Sequence, residues 1–377
     1  MLIGIPTEIK MGEFRVGMTP ASVREALAHG HRVIIQSNAG IGIGATDQDY
    51  ETLGATIAPD AATVWAKADL VIKVKEPQAN ERAQLRPGQI LFTYLHLAPD
   101  AAQTNDLIAS GAICIAYETV TSDHGDLPLL HPMSEVAGRM SIQVAARALE
   151  REAGGRGMLL GGVPGVAPAK VTVIGGGTVG ANAALMAIGS GAEVVVLDKS
   201  NQTLRALNAR FGARIKTVYS NSETLEQYVT ESDVVVGGVL IPGAAAPKLV
   251  SEAMIKAMRP GAVVVDVAID QGGCFATSHG TTHADPTYIL HDVVHYAVTN
   301  MPGAVPHTST YALNNATLPF ILAIADKGVS QALKDDAHLL NGLNVMAGKI
   351  TCRAVAEAQE LPYTDPSEML ESEITAK

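Results

Sequence analysis

The stretch KVTVIGGGTVGANAALMAIGSGAEVVVLD, residues 170–198, decides the fold of the middle of this chain. A β-branched run, Lys170 to Ile174, is followed by three consecutive glycines and then by an apolar, alanine-rich segment. A second β-branched run, Glu193 to Leu197, ends at Asp198. Because two parallel strands need a crossover between them, this order predicts a strand, a tight turn, a helix and a second, parallel strand.

The glycines of this stretch have the spacing of a dinucleotide-binding turn. Gly175, Gly177 and Gly180 form the pattern G-x-G-x-x-G. The first permits a sharp turn, the second lets the backbone approach a pyrophosphate, and the third lets the helix pack closely on the sheet. The free amides and the dipole at the start of the helix attract phosphate. We therefore predict that these glycines, with Thr178 and Val179, bind a cofactor; the alternative is a glycine-rich turn without a ligand.

The acidic residue that ends the second strand indicates which dinucleotide is bound. Asp198 lies 23 residues after Gly175, where a carboxylate accepts hydrogen bonds from both ribose hydroxyls of NAD and repels the 2′-phosphate of NADP. NAD is therefore predicted, although Lys199 is a cation that weakens the exclusion of NADP. FAD uses a similar fingerprint, but FAD-binding chains usually carry it at the N-terminus, where this chain has none.

The composition excludes several classes of protein. A chain of 377 residues is longer than one core usually accommodates, so two domains are expected. Hydrophobic residues make up 47% and charged residues 17%, which excludes a disordered chain and favours a surface partly buried against other subunits. The net charge is -11 and the chain has no run of lysines and arginines, so nucleic acid is not an expected partner.

Cysteine usage and hydropathy indicate the cellular compartment. Cys114, Cys274 and Cys352 are far apart and form no C-x-x-C pair, so neither a disulfide framework nor a zinc site is expected, and a reducing cytoplasm is indicated. The N-terminal residues MLIGIPTEIK lack the charged and apolar regions of a signal peptide. Residues 171–192 are uncharged and long enough to span a bilayer, but their six glycines favour a strand, a turn and a helix, so no membrane partner is expected.

Short β-branched runs alternate with helical segments along most of the chain, which predicts an α/β fold. The expected architecture is two Rossmann-like, doubly wound parallel-sheet domains that flank a cleft. We assign residues 1–130 and 306–377 to a discontinuous substrate domain, and residues 131–305 to an inserted NAD-binding domain. The predicted strands span residues 2–5, 31–36, 69–75, 90–96, 112–118, 170–174, 193–197, 233–237, 262–268 and 296–300. The predicted helices outside the fingerprint include residues 20–29, 134–153, 315–327, 330–336 and 348–360.

Polar side chains close three of the predicted strands. Lys75 ends DLVIKVK and His96 ends ILFTYLH in the first domain, and Asp270 follows VVVDVAI in the second. Because ligands bind beyond the carboxyl ends of the strands in open α/β sheets, we expect these three side chains to face one another across the cleft.

The chemistry of these residues suits the oxidation of an α-amino acid. His96 is the candidate general acid and base, because the ordinary pKa of histidine lies near neutrality. Lys75 polarises a keto oxygen or holds a carboxylate, and Arg15, in EIKMGEFRVGMTP, grips the carboxylate bidentately. Asp270 orients water or ammonia and offsets the positive charge of the nicotinamide.

Each of these assignments has a structural alternative. The alternatives are a solvated lysine, a structural histidine, an aspartate that caps a turn, and an arginine that only pairs with Glu8 or Glu13. His279 and His283 are four residues apart in a Gly/Thr-rich segment, where a solvated loop is expected and a metal site is not.

The sequence resembles the alanine dehydrogenases over essentially its whole length. The matching motifs, in chain order, are MLIGIPTEIKMGEFRVGMTP, DLVIKVKEP, LFTYLHLA, LLHPMSEVAGRMS, VTVIGGGTVGANAA, VVVDVAIDQGG and VTNMPGAVPHTSTYALNNATLPF. The resemblance implies a homo-hexamer of two-domain subunits that interconverts L-alanine with pyruvate and ammonia and binds NAD in the central domain. It also implies that Arg15, Lys75 and His96 bind or protonate the substrate and that Asp270 is essential. Other small keto acids, such as glyoxylate, are expected as further substrates of the reverse reaction.

The same resemblance implies further contacts. Asn300 and Met301, in VTNMPG, would line the substrate pocket near the nicotinamide. Met133 and Ser134, in HPMSEV, would lie near the cofactor, and Ser220, in TVYSNSETL, would lie by its adenosine half. The segment LDKSNQTL matches least well, which affects only the fine cofactor preference.

Other functions share part of this pattern. The NAD(H)-binding subunit of a proton-translocating transhydrogenase has the same fold and some of the motifs, and a non-catalytic NAD-responsive protein would need only the fingerprint. Reductases that join a keto acid to a larger amino acid would need mainly a roomier pocket. We favour the dehydrogenase because the sequence has no membrane segment and contains Arg15, Lys75, His96 and Asp270 together.

Overall fold

The computed structural model of the protein describes residues 1–239 and 246–375. The chain forms two compact units. The terminal unit comprises Met1–Met133 and Val305–Lys377, and the central unit comprises Ser134–Ala304.

The strands in the described residues are β1 (Leu2–Ile5), β2 (Arg32–Gln36), β3 (Thr56–Ala58), β4 (Leu70–Ile72), β5 (Ile90–Thr93), β6 (Ile113–Ala116), β7 (Lys170–Ile174), β8 (Glu193–Asp198), β9 (Lys216–Tyr219), β10 (Val234–Gly237), β11 (Val263–Asp266), β12 (Thr287–Leu290), β13 (Val293–Tyr296), β14 (Leu343–Met346) and β15 (Lys349–Ile350).

The α-helices in the same residues are α1 (Pro20–Ala28), α2 (Asp47–Glu51), α3 (Ala61–Lys67), α4 (Ala79–Arg82), α5 (Ala101–Ser110), α6 (His131–Ala148), α7 (Thr178–Gly189), α8 (Asn201–Phe211), α9 (Ser222–Glu231), α10 (Glu252–Ala257), α11 (Pro306–Lys327), α12 (Val329–Asp335), α13 (Ala337–Leu340), α14 (Arg353–Ala358) and α15 (Pro366–Thr375).

The terminal unit is built on an eight-stranded sheet with the order β15-β14-β6-β5-β4-β1-β2-β3. Strands β1 to β6 are parallel, and β14 and β15 continue the sheet as antiparallel strands. Every residue of β4, β5 and β6 is buried. Burial on both faces is typical of a parallel sheet covered by helices on each side, and it explains why these strands are almost entirely apolar rather than alternating.

The central unit is built on a seven-stranded sheet with the order β12-β13-β11-β10-β7-β8-β9. All neighbours are parallel except β12, which is an antiparallel edge strand. Both sheets reverse their strand order beside the first strand of the unit, at β1/β4 and at β7/β10. The predicted pair of doubly wound sheets is therefore confirmed, with antiparallel strands added at one edge of each.

Helix α11 fixes the loop that leads from β1 to α1. The Asn314 side chain accepts a hydrogen bond from the Thr19 backbone amide at 2.8 Å and donates to the Gly17 carbonyl at 2.7 Å. Asn314 is buried in α11, and Thr19 caps α1 by accepting from the Ser22 amide. The loop that carries Arg15 is thus held at its end by two secondary-structure elements.

Several predicted elements differ in extent from the observed ones. Strands β4 and β5 end at Ile72 and Thr93, so Lys75 and His96 lie in the loops that follow rather than at the strand ends. The predicted strand 296–300 overlaps the observed β13 at a single residue.

The predicted helix 348–360 is also wrong in its first part, because residues 343–350 form the β14–β15 hairpin. Its two central residues, Ala347 and Gly348, both have positive φ, 48° and 77°. This is the geometry that a two-residue hairpin turn requires. Only Arg353–Ala358 of the predicted segment is helical.

Candidate functional site

The predicted substrate residues of the terminal unit follow three neighbouring parallel strands. Arg15 lies in the loop after β1, Lys75 in the loop after β4 and His96 in the loop after β5. Parallel strands end at the same edge of a sheet, so the structure brings these loops to one edge. The reversal of strand order at β1/β4 opens the crevice in which doubly wound sheets bind ligands.

Arg15 is a buried cation with a built counter-ion. It is 2% exposed, and its Nε and Nη2 atoms donate to the two carboxylate oxygens of Glu13 at 2.6 and 2.5 Å. Its Nη1 atom lies 3.0 Å from the sulfur of Met133. Burial opposes the charge, but the hydrogen bonds and charge of Glu13 outweigh it and raise the pKa of Arg15. The guanidinium is therefore a permanent cation of fixed orientation.

A second cluster of buried charged side chains fixes the backbone next to Lys75. The ammonium of Lys73 lies 2.9 Å from Glu8 and 2.8 Å from Glu81, and all three side chains are buried. The other Glu8 oxygen accepts from the Val74 amide at 2.6 Å and faces the Lys75 amide at 3.4 Å. Burial raises the pKa of Glu8 against the opposing charge of Lys73. Lys75 itself is half-buried, and these hydrogen bonds fix the backbone that carries it.

His96 combines a strained backbone with an accessible ring. Its φ is +50°, and its amide donates to Glu118 at 2.5 Å. The ring is 46% exposed, lies with Nδ1 3.8 Å from Glu118, and stacks on the Tyr94 ring with centroids 5.7 Å apart. The Tyr94 hydroxyl donates to the Leu129 carbonyl at 2.5 Å. An imidazole that transfers protons needs a fixed backbone position and an accessible ring edge, and His96 has both.

In the central unit the glycine fingerprint has the predicted conformation. Gly175 has φ +92°, which a residue with a side chain rarely adopts. A Cβ on Gly180 would collide with the carbonyl oxygen of Gly175, so helix α7 packs directly on the turn. A Cβ on Gly177 would meet no described atom within 4 Å, which leaves open space beside the first turn of α7, where Thr178 and Val179 lie.

Asp198 and Ser220 are adjacent at the carboxyl edge of the same sheet. The Asp198 carboxylate accepts from the amides of Gly176 and Ser200, each at 2.7 Å. Its backbone carbonyl accepts from the Ser220 amide at 2.9 Å. A carboxylate has about four acceptor positions, so these two bonds orient Asp198 and leave it able to accept more.

Asp270 and Asn300 also meet in the central unit. Asp270 is exposed in the 3₁₀ helix Val267–Gln271, and its carboxylate oxygens lie 3.3 and 3.4 Å from the Asn300 amide. Asn300 has φ +60°, and Met301 after it is buried. The fully buried Asp266 at the end of β11 accepts from the Cys274 amide at 3.0 Å, which closes the loop that carries Asp270.

Met133 and Ser134 are consecutive residues of α6, expected from the resemblance to lie near the cofactor. Met133 is buried against Arg15 within the terminal unit. Ser134 is half-buried in the central unit. Their role toward a cofactor stays a prediction.

Several residues that shape the site lie outside the set predicted from the sequence. Glu118 closes the predicted strand 112–118, so the same rule that selected His96 would have selected it. Lys73 lies inside a predicted buried strand, where a charged residue signals a buried ion pair. Tyr94 carried no signal, because an aromatic residue in an apolar run is typical of a strand.

His279 and His283 are held more firmly than the predicted solvated loop implies. The His279 ring stacks on Tyr288 with centroids 3.8 Å apart, and the Nε2 atom of His283 lies 3.1 Å from the Asn300 carbonyl oxygen.

None of the helices within 1–239 and 246–375 is long and apolar enough to cross a membrane. The same ranges contain no group of three or more His, Cys, Asp or Glu side chains arranged to hold a metal ion.

The chain matches known proteins over nearly its whole length. Residues 4–137 match the model of the alanine dehydrogenase/PNT N-terminal domain, and residues 141–353 match that of the C-terminal domain. A protein of Halomonas elongata named alanine dehydrogenase is 58% identical over 370 residues, which cover 98% of this chain and 100% of that protein.

Solved structures agree with this match. One titled L-alanine dehydrogenase is 50% identical, has a TM-score of 0.93, and covers 96% of this chain and 99% of that one. A transhydrogenase from Sinorhizobium meliloti is 23% identical with a TM-score of 0.81, over 94% of this chain and 100% of that one, which shows a shared fold. This chain therefore belongs to the alanine dehydrogenase/PNT family.

Proposed function

We propose that this protein is an NAD-dependent L-alanine dehydrogenase, which reversibly converts L-alanine into pyruvate and ammonia. The observation that carries the proposal is the full-length identity of 58% with the Halomonas elongata alanine dehydrogenase. The loops after β1, β4 and β5 support it, because they supply a cation, a second cation and an accessible imidazole at one sheet edge.

NAD is the cofactor that the central unit fits best. The open space beside Gly177 and the start of the 12-residue helix α7 suit a pyrophosphate. Asp198 is oriented by the Gly176 and Ser200 amides to receive ribose hydroxyls and to repel a 2′-phosphate. We assign Ser220 to the adenosine half of the cofactor, and Met133 and Ser134 to its neighbourhood. When bound, the nicotinamide supplies a hydride acceptor.

Arg15 and Lys75 are assigned to the substrate carboxylate. Glu13 engages the Nε and Nη2 atoms of the guanidinium and fixes its orientation. A buried, permanently charged guanidinium gives a carboxylate a strong and directional partner, and Lys75 adds a second positive charge.

His96 is assigned to proton transfer. Loss of a hydride from Cα of alanine, with its amine neutral, leaves an iminium ion, to which water must add before ammonia can leave. We assign the deprotonation of that water to His96, and its orientation to Asp270. The protonated imidazole then returns the proton to the nitrogen, and as ammonia leaves, the hydroxyl of the carbinolamine gives its own proton to the imidazole and becomes the keto oxygen. Asn300 and Met301 are assigned to the walls around the substrate, and the reverse reaction with glyoxylate is expected because it also carries a keto group beside a carboxylate.

We further propose a cytoplasmic homo-hexamer. The low charged fraction of 17% supports a surface buried between subunits, and the widely spaced cysteines support a reducing compartment. Light scattering coupled to size-exclusion chromatography measures the mass of the assembly directly. A particle of one or two chains would contradict the hexamer without affecting the proposed reaction.

The reaction is tested by the increase in NADH absorbance at alkaline pH, with NAD and L-alanine, D-alanine, L-serine or L-lysine. We expect turnover with L-alanine. The variant His96→Asn should abolish it and still fold, because asparagine tolerates the positive φ at this position. His124→Ala, which removes an exposed histidine of the same unit, serves as the matched control.

The outcomes separate the candidate functions. Turnover with L-alanine that is lost in His96→Asn and retained in His124→Ala supports both the reaction and the assignment of His96. Tight NADH binding without turnover of any amino acid would contradict the dehydrogenase and favour an NAD(H)-binding subunit.

A further inference from the structure

Residues 277–286, which we call the strap, run alongside the segment that leads to Asn300. The Thr281 amide donates to the Ala297 carbonyl at 2.9 Å, and the Thr299 amide donates to the Thr281 carbonyl at 3.2 Å. These bonds form a short parallel bridge between the strap and the chain that leaves β13. The position of the strap is thus coupled to the backbone one residue before Asn300.

The base of the strap is anchored on the edge of the central sheet. The Thr277 hydroxyl lies 2.9 Å from Nε2 of His295, a fully buried residue of β13. The Tyr288 ring stacks between the rings of His279 and His295, with centroid distances of 3.8 and 4.8 Å. The Tyr288 hydroxyl donates to the Thr277 carbonyl at 2.9 Å. The strap is therefore held by packed rings as well as by backbone bonds.

His283 is the strap residue that contacts the turn at Asn300. Its Nε2 atom lies 3.1 Å from the Asn300 carbonyl oxygen, which also accepts from the Gly303 amide at 2.9 Å. A carbonyl oxygen only accepts hydrogen bonds, so Nε2 carries the proton and donates. On its other side, the backbone amide nitrogen of Asn300 lies 3.3 and 3.4 Å from the two carboxylate oxygens of Asp270.

The turn at Asn300 is held from both sides. Its φ of +60° lies in the left-handed region, which asparagine tolerates better than most residues with a side chain, so the neighbouring contacts fix the position of the turn. The contact with His283 fixes the carbonyl side of the residue, and the contact with Asp270 lies on the amide side. A shift of the turn would therefore move the donor that faces Asp270.

We propose that His283 is a positioning residue for the reaction, which acts by holding the turn at Asn300 and, through it, the carboxylate of Asp270. The proposal rests on the proposed function, in which Asp270 orients a reactant. His283 itself needs no contact with the substrate. Its ring donates one hydrogen bond to the turn at Asn300, and the turn sets the position of the Asp270 carboxylate, which does contact a reactant.

Three variants of the full chain test this role. His283→Ala removes the donor, and His283→Gln keeps a side-chain N–H of similar reach. His279→Ala is the matched control, because it removes another imidazole of the same strap, one that stacks on Tyr288. We expect His283→Ala to lower kcat with L-alanine about tenfold, since small misplacements of a reacting group have effects of this size or larger. His283→Gln should restore most of the rate, and His279→Ala should stay close to the unsubstituted protein.

Two binding and exchange measurements accompany the kinetics. The Kd for NADH should be the same in all three variants, because the fingerprint lies on other strands. Hydrogen exchange of peptides covering residues 298–304 should be faster in His283→Ala only, and this readout does not depend on the substrate.

Unchanged exchange and unchanged kcat in His283→Ala would overturn the inference while leaving the dehydrogenase intact. Equal losses in His283→Ala and His279→Ala would also overturn it, because the strap as a whole and not the hydrogen bond would then be responsible. Failure of the unsubstituted protein to turn over L-alanine would instead contradict the proposed function, and the exchange measurement would still decide whether His283 holds the turn.

Discussion

The carboxylate of Glu118 holds His96 from two directions: it accepts the His96 backbone amide at 2.5 Å, and Oε1 lies 3.8 Å from Nδ1 of the same residue. The first contact supports a backbone with φ +50°, and the second places a negative charge beside an imidazole that must carry a proton during turnover. We expect Glu118→Ala to lower kcat about tenfold or more, and Glu118→Gln to lower it less, because glutamine retains an acceptor for the amide. Steady-state rates with L-alanine measure both effects.

The matched control for Glu118 is Glu226→Gln, which alters an exposed carboxylate on α9. If Glu118→Ala retained the full rate, the contact with His96 would have no catalytic consequence.

The extent of strand β5 shows what the sequence could and could not predict. The run ILFTYLH is suited to a strand throughout, and the alternation of such runs with helical segments correctly predicted that its first part lies in a parallel sheet. The strand stops at Thr93 because the amides of Leu95 and His96 bond to the Glu118 side chain rather than to a neighbouring strand. That competition involves a residue 22 positions away, so no local pattern reveals it.

The partner of Arg15 illustrates the same limit. From the sequence, either Glu8 or Glu13 can be the partner of Arg15, because both lie in the same loop. In the structure Glu8 binds Lys73 and the Val74 amide, and Glu13 binds Arg15. The choice follows from Lys73, whose buried ammonium needs a carboxylate, and Lys73 was hidden inside a predicted strand. The fingerprint glycines were predictable because their roles depend on local backbone geometry alone.

Replacement of Arg15 by lysine is expected to weaken substrate binding. A lysine keeps the charge but lacks the planar fork that engages Glu13 through Nε and Nη2 and that suits bidentate contact with a carboxylate. We expect the KM for L-alanine and for pyruvate to rise about tenfold, with the Kd for NADH unchanged. Arg24→Lys, at an exposed position of α1, is the control. An unchanged KM in Arg15→Lys would show that Arg15 is purely structural.

Removal of Glu13 is expected to destabilise the fold. Glu13→Ala leaves the buried Arg15 cation without its bidentate partner, and breaking a buried ion pair in this way costs about 3 kcal/mol. Thermal unfolding followed by circular dichroism should show a clear decrease in Tm relative to Glu25→Ala, which removes an exposed carboxylate of α1. Equal Tm values for the two variants would mean that other groups compensate Arg15.

Asp198→Ala is expected to reduce the preference for NAD over NADP. The variant removes the acceptor for ribose hydroxyls, and hydrogen bonds to charged groups are strong enough that kcat/KM for NAD should fall about tenfold or more. The repulsion of a 2′-phosphate is lost at the same time, so kcat/KM for NADP should fall less or rise. The KM for L-alanine at saturating NAD is the internal control. A preserved ratio of the two kcat/KM values would argue against contact between Asp198 and the ribose.

The buried His295 is expected to make the central unit less stable in mild acid. Its Nδ1 lies 2.9 Å from the Val293 carbonyl and its Nε2 lies 2.9 Å from the Thr277 hydroxyl, which satisfies a neutral ring. Burial lowers the pKa of His295 below its ordinary value of 6.5, so the unfolded chain binds the proton more tightly than the folded chain. Its contribution to stability is thus complete above about pH 6.5 and is lost as the pH falls toward the lowered pKa.

Tm measured between about pH 5 and 8 should decline in this window. The decline should be shallower in His295→Gln and unchanged in the exposed control His124→Gln; parallel curves for all three proteins would assign the acid sensitivity to other groups.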